Sequence, residues 1–333
     1  MKWTDGQRSI LYSEIEKLVR SGFGVDRACR TLLKQEIPAG SKAFLEGMVD
    51  GLGRGESVTE SAEGVRGVEL TDLERSMIGA GERGGKLEQA FAHLSGYFGM
   101  LDKTRRRVRR AMIYPALLLH AGVLLPSIPK VIMAQGQVSF FQIAIVPLLV
   151  MYVVVFTGYL LVRGLMARGR TEAGADRLLR RVPLIGKARE SLALSRFCRV
   201  FHMHLLAAIN MSESVRAAGV ASQSGLVMAG SRRVEDRVAL GESLGHSMMD
   251  EGAFPVSFTT SINTAEESGS LDEELGRWAG LYRETAVEAM DAAGDWYPKV
   301  FYVVVVVLVA WQILSVAFGY GQLIQGTMEE IGW

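Results

Sequence analysis

The sequence predicts an all-α protein: two homologous cytoplasmic helical-bundle domains, about six helices each, plus three transmembrane helices. Three observations lead there. Apolar residues recur at three- and four-residue spacing in segments such as "ILYSEIEKLV" and "LALSRFCRVFHMHLLAAI", with little strand-like alternation. Three other stretches are apolar over about twenty residues. Blocks of the first third of the chain return in the last third in nearly constant register.

Composition sets the outer bounds. Hydrophobic residues make up 49% of the chain beside 22% charged ones, a mixture expected of soluble lobes joined to membrane spans. Formal net charge is +1, so no global field draws nucleic acid, and none is expected as a partner. Cys29 and Cys198 stand far apart with no ligand spacing. They read as two lone buried thiols rather than a disulfide framework or a zinc site.

Residues 1–110 form the first expected domain. The start, "MKWTDGQRSILYSEIEKL", is amphipathic and charged, without the continuous apolar run of a secretory signal. This lobe is expected to stay in the cytoplasm. Capping boxes mark helix starts at Ser57-x-x-Glu60 and Thr71-x-x-Glu74, and again at Ser270-x-x-Glu273 in the second domain. Pro38 suits the first turn of a helix starting near Ser41 or just before it. The last helix of each domain is expected to be long and to run on into the membrane.

The expected spans are residues 111–131, 141–162 and 299–321, with a short periplasmic loop at 132–140. Pro115, Pro126, Pro129 and Pro147 are tolerated in spans where neighbouring helices satisfy the freed carbonyls. The basic cluster Arg105, Arg106, Arg107, Arg109 and Arg110 precedes the first span, and Arg163, Arg168 and Arg170 follow the second. Lys299 precedes the third, and no Lys or Arg comes after it. The positive-inside rule then puts the N-terminus in the cytoplasm and a tail, 322–333, on the opposite side of the membrane. The same basic cluster is cationic enough to engage anionic lipid headgroups.

Residues 163–298 are expected to be the second cytoplasmic domain, because they repeat the first. "GESVTES" (55–61) recurs as "GESLGHS" (241–247), and "AGERGGKLEQAF" (80–91) as "TAEESGSLDEEL" (264–275). "IYP" (113–115) is echoed by "WYP" (296–298) where a span begins, and "LVRSGFGVDRA" (18–28) more weakly by "LLAAINMSESV" (205–215).

The stretch "GAGERGGKL" (79–87) raises the question of nucleotide binding, since Gly79, Gly81 and Gly84 are spaced G-x-G-x-x-G. A phosphate loop needs a hydroxyl after its lysine, and Leu87 stands there. The preceding "LERSMIGA" reads as a helix rather than a strand, and the second copy keeps one of the glycines. What both copies keep is Glu82 and Glu266, then Gly85 and Gly269, then Leu87 and Leu271. That is the chemistry of a helix–turn–helix corner: a glycine free to take positive φ at a helix end, and a leucine opening the next apolar face. Gly81 and Ser268 complete the two corners, and the glutamates are placed to cap or brace them. A partner contact on the corners is an added expectation.

Other chemistry is sparse. His202 and His204 lie two apart and point to different helix faces, a poor metal pair. His120 in the first span reads as a neutral imidazole hydrogen-bonded to a neighbouring helix. No catalytic constellation assembles from local motifs, so no enzyme and no cofactor are expected. The segment 250–295 is acidic: eleven carboxylates face only Arg277 and Arg283 within it. It reads as a solvated face, with a basic docking partner or a divalent ion as the alternative; whether any metal binds stays open.

Two copies of a small helical domain, with spans after each, and the corner G-E-x-[small]-G-x-L followed by Y-P, resemble the type II secretion F family. These are the inner-membrane platform proteins of type II secretion systems and type IV pili. The residues that carry the resemblance are Gly81, Glu82, Gly85, Leu87, Tyr114 and Pro115, and then Glu266, Ser268, Gly269, Leu271, Tyr297 and Pro298. Ala265, where the first copy has Gly81, and Gly84, where the family often has Ser or Thr, depart from the pattern. The chain lacks the additional N-terminal segment of longer members, a shortness more like the platforms of type IVb pili. The resemblance implies a non-catalytic, oligomeric scaffold in the bacterial inner membrane. It would couple a hexameric secretion-type ATPase to major and minor pilins, beside other inner-membrane assembly proteins. A type II secretion platform is the alternative. A small-solute transporter is more distant, because polar residues lining the spans and an inverted repeat are missing.

Overall fold

A computed structural model describes residues 3–124, 128 and 145–331. Among them the chain is all-helical, with no strand. The first six helices are α1 (Asp5–Arg20), α2 (Val25–Leu32), α3 (Ala39–Gly53), α4 (Val58–Glu63), α5 (Asp72–Arg83) and α6 (Leu87–Ala111). Then come α7 (Ile113–Leu124), α8 (Val146–Arg168) and α9 (Ala173–Arg180). The last six are α10 (Ile185–Leu206), α11 (Met211–Ala221), α12 (Gly225–Ala239), α13 (Leu244–Asp250), α14 (Val256–Ser268) and α15 (Leu271–Ile331).

Local chemistry sets the helix starts. Thr4, Ser57 and Thr71 each accept a hydrogen bond from the N–H three residues on, and Gln7, Glu60 and Glu74 reach back to close the box. Pro38 is the residue just before α3, with φ −57°. The box expected at Ser270 does not form. Its hydroxyl pairs with that of Ser268 at 2.8 Å instead.

The caps align α1–α6 with α10–α15. Gly24 and Asn210 are the N-caps of α2 and α11 with the same backbone angles, and Gly22 (φ +86°) matches Ala208 (φ +52°). This moves the weakest repeat block by one residue: Gly22 stands opposite Ala208, not Ile209.

Residues Met1–Arg105 and Leu165–Met290 form one compact unit. Its core draws Tyr12, Phe44, Phe91 and Phe98 from the first six helices and Phe197, Phe201 and Phe258 from the last six, all at most 2% exposed. The two sets are therefore one body here rather than two separate bundles. The physical reason is size: a six-helix set alone buries a smaller share of its surface than the pair. Helix α5 packs on α10 and α11. Helix α9 packs on α10 and α12. It is held by the fully buried Asp176, which accepts from Arg189 Nε at 2.5 Å, the Leu226 N–H at 3.3 Å and the Ser224 hydroxyl.

Residues Arg106–Gly164 and Asp291–Trp333 form the second unit. Within it, Arg107 bridges Asp291 at 2.8 Å and Asp295 at 2.9 Å. His120 Nδ1 donates to the Ala116 carbonyl at 2.6 Å, and its Nε2 meets the Tyr152 hydroxyl of α8. Among the described residues, one helix is long and apolar enough to cross a membrane, over Leu148–Arg168, and none of its apolar window is buried. This is later than the expected span 141–162, whose first four residues lie outside the described set. The first expected span, 111–131, is described as α7, with most of 125–131 and all of the 132–140 loop outside that set. Helix α15 covers the third, 299–321, and continues to Ile331, into the residues expected to be a tail.

Candidate functional site

The two corners are built alike. At the end of α5, the Lys86 N–H bonds the Gly81 carbonyl at 2.6 Å and the Gly85 N–H bonds the Glu82 carbonyl at 3.2 Å. At the end of α14, Ser270 bonds Ala265 at 3.0 Å and Gly269 bonds Glu266 at 3.4 Å. Both are Schellman turns, which need a left-handed residue after the helix. Gly85 has φ +66° and Gly269 φ +73°. Leu87 and Leu271 then open α6 and α15 and pack against the core.

The glutamates cap a different helix from the one that carries them. Glu82 accepts from the N–H groups of Val58 (2.5 Å) and Thr59 (2.9 Å) and from the Thr59 hydroxyl (2.6 Å). Glu266 accepts from the N–H groups of Leu244 and Gly245, both at 2.8 Å, and from the Ser243 hydroxyl (2.7 Å). Each carboxylate thus satisfies the orphan donors at the start of α4 or α13, where the helix dipole also favours negative charge. The hydroxyl donor comes from different positions for a steric reason. A Cβ at Gly245 would lie 2.4 Å from Asn263, so Thr59 has no counterpart there and Ser243 takes over. In the first copy the bulk is exchanged: Gly79 leaves room for Thr59, 3.7 Å from where a Cβ would stand.

That exchange explains the remaining glycines of "GAGERGGKL". A Cβ on Gly81 would lie 2.8 Å from the Ala90 Cβ, and one on Gly84 would lie 2.8 Å from the Cα of Ala207, the C-cap of α10. The stretch is a packing motif. The repeated "GES" blocks carried a signal for the cap, but nothing local ties them to glutamates some 21 to 24 residues downstream.

Beside the first corner lies an open groove of about 690 Å³, lined among others by Thr59, Arg75, Glu82, Arg83, His204 and Glu213. Arg83 and Glu213 pair across it at 2.7 Å. His204 is 2% exposed, and among the described residues neither ring nitrogen has a hydrogen-bond partner. Burial, with Arg83 nearby, holds its pKa down at about 4. Among the described residues, no cluster of three or more His, Cys, Asp or Glu could hold a metal ion. Cys29 and Cys198 are free and buried; burial pushes the Cys29 thiol up to about 12.

The charged segments are paired more fully than the sequence indicates. Arg105 meets Asp5 at 3.1 Å and Arg107 meets Asp291 and Asp295, while Arg109 and Arg110 are exposed without an ion pair among the described residues. In the acidic segment, Arg237 holds Asp250 at 2.8 Å, Arg233 holds Glu251, Glu266 caps α13, and Glu274 takes Arg277 and the Trp278 N–H. The partners Arg107, Arg233 and Arg237 lie outside the segment, so a local charge count misses them. Asp272, Glu273, Glu284 and Glu288 are left without an ion pair among the described residues. Tyr114 is exposed, 5.8 Å ring to ring from Tyr302, and Pro115 is in the first turn of α7. Pro298 stands inside α15, one residue after Tyr297. The expected continuity of α6 holds through a one-residue interruption at Met112: Met112 N–H reaches Val108 (3.1 Å) and Ala116 N–H reaches Met112 (3.2 Å).

Comparison with known proteins fits this duplication. One family model, described as type II secretion system (T2SS), protein F, matches residues 15–135 and again residues 197–319. The type II secretion system protein F of Aeromonas hydrophila is 25% identical over 289 residues, 81% of this chain and 74% of that one. The type 4 fimbrial assembly protein PilC of Pseudomonas putida is 24% identical over 305 residues, 84% of this chain and 74% of that one. The type IV pilus assembly protein TapC of Aeromonas hydrophila is 22% identical over 258 residues, 72% of this chain and 62% of that one. With its two corners and two matched copies, the chain belongs to the type II secretion system protein F family.

Proposed function

We propose that the chain is the inner-membrane platform of a type IV pilus assembly machine, with the type IVb class as the finer reading. It couples a hexameric cytoplasmic ATPase to major and minor pilins in the bilayer, works beside other inner-membrane assembly proteins, and oligomerises. The observation that carries this is the double family match, whose two copies draw their helical parts from one compact unit with a shared core, an arrangement that supports joint movement of the copies. Helices α6 and α15 each supply residues to both units, which supports a mechanical path from the cytoplasmic helices to apolar ones. The exposed apolar residues of α8 and α15, among them Phe156, Leu161, Val307 and Trp311, support lipid contact, with three spans and the N-terminus inside. The groove beside Glu82 and the exposed acids of α15 are the proposed contacts for the ATPase.

A type II secretion platform is the second reading, favoured by relatives that carry that name at 25% identity. No catalytic role is proposed. The test is affinity purification of the tagged full chain from its native membrane after mild crosslinking, with partners identified by mass spectrometry. The expected result is a secretion-type ATPase together with a prepilin-like protein, and the class of that protein separates pilus from secretion. Recovery of neither, with a solute-uptake defect on deletion, overturns the platform in favour of a transporter. ATP turnover by the purified protein alone overturns the scaffold role.

A further inference from the structure

We infer that the unit formed by Met1–Arg105 and Leu165–Met290 holds a small oxyanion, suited to phosphate, in a cavity between α6, α10 and α15. The cavity is half enclosed, has a volume of about 40 Å³, and is lined by His93, Gly96, Tyr97, Ser195, Arg199 and Arg283. A water needs roughly 10–15 Å³ of such space, so about three oxygen-sized positions fit. That is the footprint of a tetrahedral oxyanion and too small for a nucleoside.

The charge around the cavity is one-sided. The guanidinium of Arg199 hydrogen-bonds, among the described residues, only to His93 Nδ1. As the acceptor there, His93 carries its proton on Nε2; burial and the Arg199 charge keep the ring neutral, with a pKa of about 3. Arg283 closes the outer side: its Nη2 would stand 3.6 Å from a Cβ on Gly96. Arg196, one turn from Arg199, is used elsewhere, on the Tyr97 hydroxyl (2.8 Å) and the Ser222 carbonyl (3.0 Å). Neither Arg199 nor Arg283 has a carboxylate partner among the described residues.

Three other sheltered arginines of the unit each face a carboxylate: Arg8 faces Glu74 at 2.6 Å, Arg189 faces Asp176 at 2.5 Å, and Arg180 faces Glu190 at 2.8 Å. Arg199 is sheltered with a neutral imidazole as its acceptor, and the exposed Arg283 adds a second positive charge at the mouth, so the cavity favours an anion with several acceptor oxygens. A phosphate dianion meets that need, because its oxygens accept from both forks at once. The pair is also not inherited from the duplication: the cap alignment puts Ser13 and Gly99 at the matching places of the first copy. The site rests on this geometry alone and not on the platform reading.

The source of the phosphate is either free inorganic phosphate or the terminal phosphate of a nucleotide, and the test separates them. The full chain in mild detergent is melted with sodium phosphate and with sodium chloride at equal ionic strength, and phosphate binding is followed by phosphorus NMR. Phosphate is expected to raise Tm by about 2–4 °C beyond chloride. Arg283→Ala, at an exposed position, is expected to keep the fold and weaken phosphate about ten-fold, the loss of one charged hydrogen-bonding group. Arg199→Lys, which keeps the charge but not the fork, is expected to weaken it as well. Displacement of bound phosphate by ATP supports the site with a nucleotide phosphate as its ligand; no displacement supports free phosphate. An equal response to phosphate and chloride, or wild-type affinity in Arg283→Ala, overturns the proposal.

Discussion

At the third position of α5 the chain has Glu74; at the third position of α14 it has Phe258, and both are fully buried. Around Glu74, the Tyr12 hydroxyl donates at 2.7 Å, Arg8 Nη1 at 2.6 Å and the Thr71 N–H at 2.7 Å. The cap alignment puts Leu194 and Cys198 where the first copy has Arg8 and Tyr12. There Phe258 packs on Trp278 (5.5 Å) and Tyr282 (5.9 Å) instead. The same backbone corner is thus filled once by a hydrogen-bonded ion pair and once by hydrocarbon. The difference teaches that the two interiors are exchangeable as sets and not residue by residue. A buried ion pair can give way to apolar groups of similar volume, whereas deleting one partner leaves a charge stranded.

The sharpest way to break this comparison is Glu74→Leu. It strands Arg8, whose side chain is 11% exposed, and is expected to cost about 3–5 kcal/mol in chemical denaturation. Carrying the whole second-copy set across (Arg8→Leu, Tyr12→Cys and Glu74→Phe together) is expected to recover most of that loss. If the triple variant is less stable than Glu74→Leu, the interiors are not exchangeable.

A smaller effect sharpens the comparison by pH. The second copy has His204 where the cap alignment puts Leu18 in the first. The folded pKa of His204, about 4, lies below its ordinary value near 6.5. The unfolded chain therefore binds more protons, and stability that is present above about pH 6.5 is lost as pH falls toward 4. Between pH 7 and 5 the loss is about 2 kcal/mol from this group. His93, also held low, adds a loss of similar size. His202, whose pKa burial also lowers, adds in the same direction. His204→Leu is expected to remove its own share, about 2 kcal/mol, of the pH dependence of unfolding over that range; an unchanged slope contradicts the buried neutral imidazole.

The smallest effect is a backbone exchange. Gly22 and Ala208 occupy matching left-handed positions, at φ +86° and +52°. Ala208→Gly is expected to stabilise by about 0.5–1 kcal/mol and Gly22→Ala to destabilise by about 1 kcal/mol, read as opposite shifts in Tm. Shifts of the same sign in the two variants contradict the alignment.

Part of this was legible in the sequence. The helical class follows from apolar spacing, and Gly85 and Gly269 stand out because a repeat keeps one glycine where it discards others. The sequence pattern places their glutamates to cap or brace the corner that carries them, and they cap another helix; that link is tertiary and has no local spacing. The same limit applies to Arg107, whose partners Asp291 and Asp295 lie some 184 to 188 residues away. It applies again to Thr59 and Gly79 against Gly245 and Asn263, where bulk has moved from one helix to its neighbour. A letter-by-letter comparison of the repeats sees two mismatches there, although the packing is conserved between them. The shared core was hidden for a similar reason: at Gly84, the C-cap of α5, a Cβ would lie 2.8 Å from Ala207, a close approach between the two halves that leaves no apolar stripe in the sequence.

The most direct test of the duplicated corner is thermal unfolding of Glu82→Gln and Glu266→Gln in the full chain, measured side by side in the same detergent. Each change keeps the shape of the side chain and removes the charge from three hydrogen bonds at a helix start. Losses of about 1–3 kcal/mol, equal in the two variants to within about 0.5 kcal/mol, are the predicted result. A neutral Glu82→Gln beside a destabilising Glu266→Gln, or the reverse, would contradict the claim that both copies close their corner by the same device.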